Sequence, residues 1–144
     1  MNKIAAIVAA GIVYAVISMV VNTLWAFIDM PYYLMQEYFA VWSKLMMSTA
    51  GPPGVEFYVA SFVFTLVAGL IFAGVYSRVK ASIRDKGIRK GLRFGFGIFL
   101  ISVIPGMFSL YLLINLPTML IVSWTVSGLV TSLLGGIVIE RLVR

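Results

Sequence analysis

The chain has 144 residues, is 62% hydrophobic and 11% charged, and carries a net charge of +6, with a mean hydropathy of +1.06. A soluble domain has roughly 25% charged residues, so too little polar surface exists here to coat a water-soluble globule, and lipid must solvate most of the chain. There is no cysteine and no histidine, which excludes disulfides, thiolate nucleophiles, iron–sulfur ligation, imidazole metal ligands and the usual proton shuttle.

No long polar linker divides the chain, so one integral membrane domain is expected over residues 1–144. In a soluble protein a pI near 9.8 would point to nucleic acid. Here the cations flank apolar runs, so they read as membrane orientation signals, with no nucleic-acid partner.

Residues 4–28 form the first apolar run. It is too long for the core of a cleaved signal peptide and lacks a small-residue cleavage site, so it reads as a retained span. About 23 helical residues cover roughly 34 Å, enough to cross a bilayer with some tilt. Gly11, Ala15, Ser18 and Asn22 fall on one face, the kind of face on which another helix packs closely. Asn22 is expected to make an interhelical hydrogen bond; contact with a substrate or ion is the alternative.

Asp29 is expected to cap a second helix, with Pro31 in its first turn. Residues 31–47, PYYLMQEYFAVWSKLMM, group Gln36, Glu37, Ser43 and Lys44 on one side and Tyr33, Leu34, Tyr38, Val41, Trp42 and Leu45 around the rest. That pattern predicts an amphipathic helix at the outer interface, where Tyr and Trp are at home. A fifth span is disfavoured, because the run is short and holds Glu37 and Lys44. The STAGPPG stretch at 48–54 predicts a turn.

Residues 57–79 form the second span, with Ser61, Thr65, Gly69, Ala73 and Ser77 recurring every four residues. This stripe predicts close helix packing, within the chain in preference to a second copy. A basic loop, the hinge, follows at 80–93. From its flank it gathers Arg78, Lys80, Arg84, Lys86, Arg89, Lys90 and Arg93 against one acid, Asp85. These seven cations should attract anionic lipids, at about 1 kcal/mol each near the surface. Asp85 and Arg89 are expected to pair on a helical extension of the second span.

The third span, 94–114, has Gly91 and Gly95 at its start and Pro105-Gly106 near its middle. The proline should kink the helix. A structural kink is the first reading, and a cavity or gate the second. Asn115 to Thr118 make a tight turn into the fourth span, 117–139. There Gly128, Ser132 and Gly136 form one small stripe, and Ser123, Ser127, Thr131 and Gly135 form its neighbour. Trp124 points either to lipid or into the bundle. Glu140, Arg141 and Arg144 are expected to end the chain in water.

The fold class expected is therefore all-α: a polytopic membrane protein with four transmembrane helices and an outer interfacial amphipathic helix between spans one and two. Lys3, the seven hinge cations, Arg141 and Arg144 lie on one side, and Lys44 alone on the other. The positive-inside rule then places both termini and the hinge in the cytoplasm of a cell whose inner (plasma) membrane holds the protein. Asp29, Glu37 and Glu56 fall outside. A faint repeat aligns Val59 with Val122, Val63 with Val126, Leu66 with Leu129, Leu70 with Leu133, Val75 with Val138 and Arg78 with Arg141, as in a parallel duplication.

The run KGLRFGFGIFLISVIPG, followed by NLP and a later W-x3-G-x7-G (Lys90 to Gly95, Pro105, Leu116-Pro117, Trp124, Gly128, Gly136), resembles a group of small, uncharacterised four-helix prokaryotic membrane proteins. The resemblance covers roughly the C-terminal half. It implies the four-span topology and a bacterial or archaeal inner membrane, and no particular chemistry.

No catalytic, cofactor-binding or metal-ligating residue is assigned. Met30, Met35, Met46, Met47, Met107 and Met119 map to the outer half; gap-filling in apolar packing is a better account of them than a copper site. Three functions stay open, in descending order. The first is a non-enzymatic structural or accessory membrane protein, either a homo-oligomer or a member of a membrane complex. The second is an oligomeric small transporter or channel. The third is a membrane enzyme acting at the outer face through Glu37 or Glu56.

Overall fold

The computed structural model describes residues 2–43, 45–46 and 52–143. Lys44, Met47, residues 48–51 of the expected turn and Arg144 lie outside the described residues. Among those described, the chain is all-helical, with four helices long and apolar enough to cross a membrane. Helix one is Lys3–Tyr33, helix two Val55–Val79, helix three Ile88–Leu113 and helix four Thr118–Leu142. The four expected spans are these four helices. The end holding the basic loop, Lys3 and Val143 is called the hinge side, and the opposite end the far side.

Helix one starts where the Asn2 side chain accepts a hydrogen bond from the Ile4 amide at 3.3 Å. It then runs straight through Asp29 and Pro31. The expected cap at Asp29 is thus not formed, and residues 31–33 belong to the first span. Proline within three residues of a helix end removes one amide donor but leaves little helix beyond it to disrupt. The helical segment between spans one and two, on the far side, is correspondingly shorter and tighter than 31–47. It is a 3₁₀ helix, Gln36–Val41.

Helix three begins at Ile88, inside the expected loop, because Gly87 adopts a positive φ of 56° and turns the chain there. Arg89, Lys90 and Arg93 therefore sit on helix three, and the loop between the helices shrinks to residues 80–87. Asp85 pairs with Arg93, not with Arg89, because helix two ends at Val79 and cannot carry Asp85 in helical register. Lys80 Nζ donates to the Val143 carbonyl at 2.9 Å and ties the end of helix two to the end of helix four.

Pro105 is accommodated by a π turn, Phe99–Val103, in which the Ile104 amide donates to the Phe99 carbonyl. The wider turn shifts the hydrogen-bond register just before the residue that has no donor. Ile101, Pro105 and Gly106 are all on the exposed surface, and a methyl added at Gly106 would meet nothing within 4 Å. The bend therefore faces outward and lines no internal cavity within the chain.

Helix four is the hub. It packs along helix one and along helix three, while helix two lies on the other flank of helix one. The two small stripes predicted on helix four serve these two neighbours. Ser132 and Gly136 meet Gly95 and Gly91 of helix three so closely that the backbones themselves touch, and a methyl at Gly91 would stand 2.6 Å from the Ile137 Cα. Gly128 receives Val103 of helix three. On the adjacent stripe Gly135 lies against the ring of Tyr14 of helix one. The other edge of that residue rests on Gly69 of helix two, where an added methyl would be 3.0 Å from Tyr14 Cβ and 2.8 Å from the Gly11 carbonyl oxygen. The stripe of helix two thus packs within the chain at Gly69 and Ala73, both buried.

Two clusters close the ends. At the hinge side Ala6, Ala10, Tyr14, Ala73, Tyr76, Phe94, Ile98, Ile139 and Val143 draw all four helices together, with the Tyr76 and Phe94 rings 4.9 Å apart. Glu140 is buried among these, not in water, because helix four continues to Leu142 and places it four residues after Gly136 on a covered face. At the far side Leu116, Leu120 and Ile121 gather Tyr32, Tyr33, Trp42, Met107 and Trp124. No residue of helix three between Ile104 and Leu113 is buried.

The weak repeat between helices two and four has a counterpart in burial. Gly69, Ala73 and Tyr76, the buried residues of helix two, align with Ser132, Gly136 and Ile139, all buried on helix four.

Replacing Gly95 with valine drives two methyls into the backbone of helix four, where nothing flexible can yield. We expect a loss of about 3 kcal/mol or more in detergent unfolding titrations. The same change at Gly97, which has open space around it, should cost less than about 1 kcal/mol.

Candidate functional site

The helix one–helix four seam carries a ladder of polar side chains from mid-span to the far side. Ser18, Asn22, Trp25 and Asp29 recur at spacings of four, three and four, which keeps them on one helical face. Ser123 and Ser127, one turn apart, oppose them on helix four.

At mid-span Asn22 donates to Ser18 Oγ at 3.2 Å and accepts from Ser127 Oγ at 3.3 Å. This is the expected interhelical bond. Higher up, Ser123 Oγ donates to Asp29 Oδ1 at 2.6 Å and accepts from Trp25 Nε1 at 3.1 Å. At the far end Trp124 Nε1 donates to the Tyr33 hydroxyl at 3.1 Å. Trp124 therefore points into the protein, with its ring 6.3 Å from that of Trp42. Trp42 in turn meets Tyr33 edge-on at 5.4 Å.

Asp29 is the centre of this arrangement. It is 1% exposed, and its second oxygen, Oδ2, is buried with no hydrogen-bond partner. Trp42 Nε1 is a buried donor without an acceptor in the same far-side region. Burying a carboxylate is costly unless it is paired and hydrogen-bonded. Ser123 satisfies one oxygen, leaving Oδ2 as an acceptor turned into a water-poor seam. Chemically this can receive a donor or a positive charge. The carboxylate lies just before the last turn of helix one, which carries no basic residue to offset it.

Asp29, expected outside the spans as a cap, is instead inside the seam. The signal was present: Asp29 lies seven residues after Asn22, on the same polar stripe, opposite the serines of helix four. The cap-plus-proline pattern outweighed it. The other acids are not gathered with it. Glu37 and Glu56 are exposed, and no group of three potential metal-ligating side chains of the His, Cys, Asp or Glu kind occurs among the described residues. The Glu37 side chain instead hydrogen-bonds Tyr38, which holds that phenol above its usual range. Met107 fills space beside the far-side aromatics, whereas Met30 and Met119 face outward.

Comparisons with family models, curated proteins and solved structures returned no match.

The bond between Ser123 and Asp29 can be weighed by a double-mutant cycle. Coupling across helices in a membrane averages about 0.6 kcal/mol and reaches about 1.7. With a carboxylate acceptor at 2.6 Å, Ser123→Ala and Asp29→Ala, each of which removes the bond, should show a coupling near the upper end of that range in unfolding titrations.

Proposed function

We propose that this protein is a non-enzymatic structural or accessory component of the cell inner (plasma) membrane, self-associating or joining a larger membrane complex. In this reading both termini and the hinge face the cytoplasm, and the exposed hinge cations Arg78, Arg84, Lys86 and Arg89 rest against anionic headgroups.

One observation carries the reading. Polar side chains lie exposed at membrane depth: Asn22 and Thr23 on helix one, and Ser102 beside the π turn of helix three. The Asn22 amide spends one N–H on Ser18 and has a second. Polar groups facing hydrocarbon are costly, and their usual place in a membrane is a helix–helix interface. A further helix over these faces would cover them.

Because the chain has no native cysteine, Thr23→Cys and Ser102→Cys are clean probes. Cross-linking in native membranes should capture a second copy or a larger partner through at least one of them. A monomer at both positions would overturn the reading.

The unpartnered oxygen of Asp29 favours a second reading, an oligomeric small transporter in which the seam binds a cationic species. Flux in proteoliposomes that disappears in Asp29→Asn, while the helices remain folded, would establish it.

A further inference from the structure

A groove of about 410 Å³ opens on the hinge side between the start of helix one and the end of helix two. Its mouth is formed by Lys3 and Arg78, and its walls by Ile4 and Ile7 on one side and Ile71, Gly74 and Val75 on the other. We propose that it holds the headgroup and upper acyl chain of one anionic phospholipid.

Three independent features meet there. The first is charge: neither Lys3 nor Arg78 makes a salt bridge among the described residues, and no acidic residue lines the groove. Lys3 is also the first residue of helix one, whose amino-terminal end favours an anion. The second is shape: Gly74 leaves the groove open, since a methyl added to it would meet nothing within 4 Å. The third is the order of chemistry along the axis. Ile71 and Arg78 are seven residues apart, so the apolar wall runs roughly 10 Å inward from the cations. A free phosphate would use only the mouth, and a neutral lipid only the wall. An anionic phospholipid uses both.

This proposal rests on the helices crossing a bilayer but not on which side is cytoplasmic, and not on self-association. The test is native mass spectrometry of the full chain released from detergent, titrated with phosphatidylglycerol, phosphatidylcholine or glycerol 3-phosphate. One phosphatidylglycerol per chain should bind at least tenfold more tightly than phosphatidylcholine, and glycerol 3-phosphate should not compete at equal concentration. Lys3→Gln and Arg78→Gln should each weaken the complex about fivefold, the factor that matches about 1 kcal/mol per cation. Gly74→Leu, which leaves every charge in place and enters open space, should also weaken it by tenfold or more. Helix content by circular dichroism checks that each variant is folded. The loop variant Arg84→Gln/Lys86→Gln should keep the site. If that variant loses as much lipid as the two groove variants, or if Gly74→Leu binds normally, attraction is diffuse and the groove is not a site. Equal binding of phosphatidylcholine, or full competition by glycerol 3-phosphate, would equally overturn it.

Discussion

Two stripes of small residues on helix four, turned about a quarter of the helix apart, decide how the four helices can be arranged. In hydrocarbon, apolar side chains gain little by leaving lipid for one another, so helices associate where their backbones come close and where polar groups meet. Ser132 and Gly136 permit that approach to helix three, and Gly135 permits it to the Tyr14 ring of helix one. A large side chain at any of these positions would hold a helix away. Helix two joins through Gly69 against Gly11 and the same Tyr14. Tyr14 is thus a knob clasped by glycines from two different helices, and helix four is the element that the other packing depends on.

The same seam carries the polar residues. Asn22, Trp25 and Asp29 face Ser123 and Ser127, so each bond across the seam also fixes the rotation of helix one against helix four. Polar bonds between helices add register to contacts that van der Waals packing alone would leave slippery. Asp29 goes further than register requires. An acid with one satisfied and one open oxygen, just before the last turn of a span, is more costly than a serine or asparagine would be there. That excess makes it the focus of the chemistry this chain can offer.

Much of the fold was legible from residue types. Four spans, the packing role of the glycine stripes and the interhelical bond of Asn22 follow from periodicity and from the scarcity of charge. A proline near the end of a helix leaves almost no helix to break, so Pro31 looked like a beginning when it was an ending. Gly87 starts helix three within a run of cations, because Arg89 and Arg93 can face water while Gly91 and Phe94 face the protein. The pairing of Asp85 depends on that start, and local spacing cannot reveal it. Asp29 was misplaced for a related reason: an acid beside a proline reads as a cap, and only the serines ninety-odd residues away in sequence show that it belongs to a seam. The groove on the hinge side was invisible because Lys3 and Arg78, which line it, share no local pattern.

Helix four touches helix one and helix three at once, through adjacent stripes. Solid-state NMR of the protein in lipid bilayers, with tyrosine, glycine and serine labelled, tests it most directly. Cross-peaks are expected between the Tyr14 ring and Gly135 and, in the same sample, between Gly95 and Ser132. Loss of either set, with the other intact, would mean that helix four serves one neighbour only and would contradict the architecture described.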